Sequence, residues 1–257
     1  VGDEAFLLSG RTTPADLEAQ LQLLTAYLTA PGYRDEAARQ FEKNLEPLYT
    51  QLSHTAEGVM NNEVVSFMRS GDPRWGFPKI EELRQRTLAE VKEWLTPALQ
   101  HEYLEVSVLG DVNADAALAA VARTLGALPK RAEKKPAYEK ERLVAFPKPE
   151  QSRYFPFETE IPKAVATIYW PTADMSDIQR TRRLTLLGSI LDDRLRVKVR
   201  EEMGDTYSPA CYHVASDTFT GYGYMTTMIE CKPELAASIT SLVVEIGDKL
   251  EAHARAA

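Results

Sequence analysis

The stretch Leu191-Asp-Asp-Arg-Leu-Arg-Val-Lys-Val-Arg200-Glu-Glu-Met-Gly204-Asp-Thr-Tyr207-Ser208 constrains the fold of this chain more than any other. Leu191, Leu195 and Val199 recur every four residues, which puts them on one face of a helix and commits that face to a core. Gly204 reads as the residue just past the helix end, where a left-handed backbone costs a glycine nothing. Beyond it, Tyr207-Ser-Pro-Ala-Cys-Tyr-His-Val214 reads as extended. Arg200 then stands in the last helical turn and Tyr207 at the head of a strand, so a guanidinium and a phenol can reach one rim. On these grounds alone neither residue demands a site. A cation near a helix C-terminus balances the helix dipole, and a Tyr opening a strand is ordinary packing.

The 257 residues suffice for one large or two modest domains with real cores. Hydrophobic residues at 44% and charged ones at 26% are ordinary for a soluble globular protein. A net charge of −8 argues against nucleic-acid binding, which needs a basic surface. No run of about 18 apolar residues exists, so no membrane-spanning helix is expected. The first residue is Val1 rather than an initiator Met, which fits a chain processed or cut from something larger. Cys211 and Cys231 are the only cysteines. In a hairpin turning near Thr218-Phe219-Thr220, Cys211 falls opposite about residue 226, which leaves Cys231 some 15 Å away. A disulfide needs Cα atoms within about 7 Å, so two free thiols are expected.

In chain order, residues 3–9 form an apolar run of strand length. Thr13-Pro14-Ala-Asp16 opens a helix striped by Leu17, Leu21, Leu24 and Leu28, which Pro31-Gly32 ends. A second helix, 35–52, contains Pro47 and should kink or break there. A third, 53–69, carries Val59, Met60, Val64 and Phe67. After a Gly- and Pro-rich loop, Thr87-Leu-Ala-Glu90 is a capping box whose helix Pro97 should close. Residues 103–109 alternate as a strand, and an Ala-rich helix follows Asn113. Residues 130–150 change to charge and proline, the composition of a linker. The remainder reads as strands 153–160 and 165–170, a long helix 176–203, strands 207–215 and 221–231, and a closing helix from Pro233. The resulting division is 1–130, a linker 131–150, and 151–257.

Three stretches carry a resemblance: residues 24–41 with Pro-Gly-Tyr-Arg-Asp35, residues 83–129 with Val-Leu-Gly-Asp-Val-Asn113 and Leu-Gly-Ala-Leu-Pro129, and residues 184–207. Together they resemble the pitrilysin/insulysin family of zinc metallopeptidases, the inverzincins. The resemblance implies an α+β fold, a two-layer αβ sandwich of largely antiparallel sheets with helices packed on one face. It implies that 1–130 is the back half of one such repeat and 151–257 the front half of the next, in the C-terminal region of a four-domain protease. It also gives Arg200 and Tyr207 roles. Tyr207 would donate a hydrogen bond to the developing oxyanion and Arg200 would bind substrate carbonyls, across a closed chamber from a zinc site in the N-terminal half. Donors placed where charge develops are worth about 3–4 kcal/mol when lost.

The family's zinc motif is His-x-x-Glu-His with a further Glu, and zinc chemistry needs three such ligands around an open position. The four histidines, His54, His101, His213 and His253, include no pair at helical-turn spacing. His101-Glu102 starts a related pattern that fails at Glu105, and the third-ligand position aligns on Gln51. No metal site and no cofactor are expected in this chain. Zinc belongs, by the resemblance, to the N-terminal half of the parent protein, and the chain alone should not hydrolyse peptides. The expected partners are a peptide or protein substrate and that zinc-bearing half. The bacterial periplasm or cell envelope is suggested by analogy alone. No G-x-G-x-x-G, Walker or G-x-S-x-G motif is present. Gly221-Tyr-Gly-Tyr224 reads as a strand start, Asp192-Asp193 as solvated acids, and the basic run 130–135 as a linker in water. Two other readings stand beside a peptidase part: a non-catalytic peptide-binding or scaffold module of the same fold, and an unrelated α+β protein, which parallel sheets would favour.

Overall fold

The computed structural model describes residues 2–148, 152–160, 162–203 and 209–256. The helices in order are α1 (Leu17–Thr29), α2 (Asp35–His54), α3 (Ala56–Val59), α4 (Val65–Phe67), α5 (Ile80–Arg84), α6 (Leu88–His101) and α7 (Ala114–Arg123). Strand β1 (Ala164–Pro171), helix α8 (Ile178–Met203), strands β2 (Ala210–Ala215) and β3 (Gly223–Cys231) and helix α9 (Ala236–Ala256) complete the chain. A π-helical turn, Met60–Val64, joins α3 to α4, so the third helix read from the sequence is present in three pieces.

The chain divides into two compact units, Val1–Glu46 with Pro78–Ala137, and Pro47–Phe77 with Tyr138–Ala257. Residues 47–77 thus group with the C-terminal part of the chain. The boundary falls at Pro47, inside an α2 that runs through it.

In the first unit, Leu21 and Leu28 of α1 meet Leu99 of α6, Ala120 of α7 and Leu125 in one core. The capping box forms as read. Thr87 Oγ1 accepts from the Glu90 amide at 3.2 Å, and the Glu90 carboxylate accepts from the Thr87 amide at 2.6 Å. Pro97 does not close α6, which continues to His101. Its end is held instead by Arg131, which donates to the carbonyls of Leu99 (2.7 Å), Glu102 (2.8 Å) and Ala98 (3.1 Å). Helix C-termini leave carbonyls unmet, and a guanidinium with a fork of donors meets several at once. So Arg131 is a cap rather than part of a linker in water. Residues 3–9 and 103–109 belong to no ladder among the described residues, and Asp3 and Glu4 lie in a bend where the Gly2 amide donates to the Ala5 carbonyl at 2.8 Å. Phe6 meets Trp94 edge-on at 5.3 Å, while Leu7 and Leu109 stand exposed.

In the second unit the strand order is β1-β3-β2, and both pairings are antiparallel. The register sets Ala164 opposite Cys231 and Cys211 opposite Thr227, one residue from the sequence expectation. Cys211 and Cys231 are both buried free thiols. Opposed residues share a face, so Ala166, Ile168 and Trp170 of β1, Cys211 of β2, and Met225 and Ile229 of β3 point one way. There they meet Leu191, Leu195 and Val199 of α8 and Ile239, Val243 and Ile246 of α9. Leu195, Val199, Ile229 and Ile239 are all 0% exposed. The expected α+β architecture, an antiparallel sheet with helices on one face, is therefore the one found. Residues 153–160, read as a strand, belong to no ladder among the described residues.

The hairpin turn between β2 and β3 is tightly specified. Gly221 adopts φ +70°, which a side chain would strain. A Cβ on Gly223 would lie 2.1 Å from the Ala173 carbonyl, so only glycine lets the chain after β1 pass so closely. The segment composed like a linker docks on this turn. Arg142 donates to the Thr218 carbonyl at 2.9 Å, and Phe146 stacks on Tyr222 with centroids 4.3 Å apart.

Candidate functional site

Helix α8 positions Arg200 by its buried face. With Val199 sealed in the core, the next residue is carried in the last turn of the helix, which ends at Met203. The Arg200 side chain and all of Gly204 to Ser208, Tyr207 included, lie outside the described residues. What is described is how their neighbours are held. Asp192, one residue from Leu191, accepts from the Cys211 amide at 2.8 Å and from Arg196 at 2.6 Å. It therefore ties α8 to the first residues of β2, a role that its reading as a solvated acid missed. The four-residue spacing to Arg196 was the available signal. A Cβ on Gly188 would stand 3.4 Å from the His213 amide, so helix and strand run close along this side.

The opposite face of the sheet carries no helix from α8 or α9. By register, Tyr169, Thr226 and Tyr212 form one rung across it, and Pro171, Tyr224 and Val214 the next. Tyr212 is 45% exposed while Thr226 between its two tyrosines is buried. Tyr169 meets Tyr224 edge-on at 5.4 Å. Burial pushes the Tyr169 phenol up to about 12, and Tyr224 is raised for the same reason. These hydroxyls therefore stay protonated and act as hydrogen-bond donors or acceptors near neutral pH. Burial likewise pushes the Cys211 thiol up to about 12, with the Asp192 charge adding to it. A thiol so far from its thiolate is no nucleophile.

Among the described residues the donor set does not fit zinc. His213 shares Nε2 with the Thr172 hydroxyl at 3.0 Å, and its Nδ1 is buried without a partner among the described residues. His54 Nδ1 lies 2.8 Å from Ser53 Oγ, and Gln51 is exposed. Among the described residues no three His, Cys, Asp or Glu side chains converge as a metal site would require. No chemical step is assigned to a metal in this chain.

The family model of the peptidase M16 inactive domain matches residues 86–254. The chain belongs to the peptidase M16 family. Its match is to the inactive, C-terminal type of M16 domain, in agreement with the pitrilysin-like motifs around α8. Solved structures agree in fold. A mutant of the ferredoxin protease FusC in complex with Arabidopsis ferredoxin is similar at 17% identity and a TM-score of 0.67, over 93% of this chain and 26% of that one. The periplasmic protease PqqL from Escherichia coli is similar at 17% identity and a TM-score of 0.66, again over 93% and 26%. The first half of PqqL, solved alone, gives 13% identity and a TM-score of 0.52 over 86% and 48%. This M16 chain thus spans about a quarter of the length of the two proteases matched over most of it. No curated protein matches. Among the described residues no helix is long and apolar enough to cross a membrane.

Proposed function

We propose that this chain is part of the C-terminal half of a zinc-dependent endopeptidase. In that reading it closes the substrate chamber and supplies Arg200 and Tyr207 to a zinc site carried by the N-terminal half. The observation that carries the reading is the burial of Leu191, Leu195 and Val199, which puts Arg200 at the end of a rigidly seated helix. A group placed by a packed helix can hold a substrate carbonyl with little reorganisation. Tyr207 would donate to the oxyanion as the scissile carbonyl is attacked, and its value lies in being stronger in the transition state than in the ground state. The division into a back half (1–130) and a front half (151–257) of two repeats belongs to the same proposal. A protein substrate and a periplasmic setting come by analogy with FusC and PqqL.

The test is peptide hydrolysis in the presence of zinc by this chain alone, then mixed with the zinc-bearing half of its parent. Activity is expected only in the mixture. In the complete protein, Tyr207→Phe should lower kcat by roughly 100-fold or more with zinc content unchanged. Unaltered turnover would remove Tyr207 from the chemistry. A second reading, a non-catalytic peptide-binding module of the same fold, draws support from the separated histidines and from Gln51. It expects peptide binding that survives chelators and a silent mixture.

A further inference from the structure

A cleft of about 700 Å³ in the second unit takes no residue from α8, from the sheet or from the segment that contains Tyr207. The π-helical turn and α4 form one wall, the 70–77 loop a second, and Pro147, Lys148, Arg153 and Phe155 a third. Arg153 is its most informative member. Its guanidinium lies 5.5 Å from the centroid of Phe67 and 5.7 Å from that of Phe155, two rings that themselves meet edge-on at 5.8 Å. Two aromatic faces thus orient the cation, yet neither Arg153 nor Lys148 forms an ion pair among the described residues. Asn62 spends its carbonyl oxygen on the Phe77 amide at 2.7 Å. That fixes its amide group in the wall and leaves two N–H donors for the cleft.

We infer that this cleft binds a peptide by a carboxylate that lies next to an aromatic side chain, the carboxylate on Arg153 and Lys148 and the ring beside Phe67 and Phe155. A guanidinium presents parallel donors that match a carboxylate's two oxygens. Peptide is favoured over a small anion because residues 153–157, which bring Arg153 and Phe155 to the cleft, make no backbone hydrogen bond among the described residues. Their carbonyls, and the amides of all but Pro156, are available to a second chain. Glu63 lines the same cleft and opposes the anion, so it tunes the affinity downward. The inference rests on the peptidase reading only for its choice of peptide as ligand. Its test needs neither metal nor turnover, so the two can fail separately.

The experiment is fluorescence anisotropy on this chain at low salt with three labelled peptides: Gly-Ser-Gly-Ser-Phe as the free acid, the same peptide amidated, and an amidated Gly-Ser-Gly-Glu-Phe. The free acid, the Glu-bearing amide, or both should bind about ten-fold or more tightly than the neutral amide. Which of them does so tells a terminal from a side-chain carboxylate. Arg153→Gln combined with Lys148→Gln should erase the preference, and Glu63→Gln should tighten binding by several-fold, a gain that misfolding cannot produce. Equal binding of the neutral amide, a preference that persists in the double variant, or no binding of any peptide at millimolar concentration would overturn the inference.

Discussion

In the second unit, segments 164–171, 210–215 and 223–231 find one another and close an antiparallel sheet under two helices. In the first, residues 3–9 and 103–109 carry strand-length apolar patterns and belong to no ladder among the described residues. The difference teaches that an apolar pattern prepares a strand but a partner makes one, since an unpaired strand leaves its amides to water. What stabilises the first unit is helix packing and capping. What stabilises the second is a core shared between a sheet and two helices.

The largest effect that separates the two is expected from core truncation. Leu195→Ala should destabilise the second unit by about 3–5 kcal/mol, whereas Leu104→Ala, in an unpaired segment of the first, should cost about 1 kcal/mol. Urea unfolding followed by tryptophan fluorescence and circular dichroism checks both, and similar losses would break the distinction. Next is Asp192→Ala, which strands the Cys211 amide and should cost about 1–3 kcal/mol in the second unit. Arg131→Gln, which frees carbonyls at the end of α6, should cost about 1 kcal/mol in the first, because water can replace part of what is lost. The smallest effect is a pH dependence confined to the second unit. Burial holds the His213 imidazole below its ordinary value. The unfolded chain therefore takes up the proton first, and the stability that neutral His213 supports is full above about pH 6.5 and lost as pH falls through the folded value. His213→Gln should flatten the decline in urea midpoint between pH 7 and 5; an unchanged slope would place the titration elsewhere.

Much of the second unit was legible in the sequence, for a physical reason. The stripe Leu191, Leu195, Val199 and the hairpin register depend on local periodicity, and each was read to within a residue. The capping box at Thr87 is equally local. Arg131 and Asp192 were misread because their partners are backbone groups, which carry no residue-type signal. The α6 carbonyls lie 29 to 33 residues from Arg131, and the Cys211 amide lies 19 from Asp192. Pro97 was read as a stop, although the structure carries α6 through it to His101. The cleft around Arg153 was invisible because it gathers side chains from residues 62–77 and 147–155, none of which forms a motif alone. The roles proposed for Arg200 and Tyr207 rest on the family likeness.

The two thiols have a further use. Cys211 and Cys231 sit under α8 and α9, buried and far from their thiolate forms at neutral pH. A thiol reagent in solution has access to them only when the sheet and its helices part. Their labelling rate therefore acts as a built-in clock for opening of the second unit, one that needs no introduced probe and runs silent on events confined to the first.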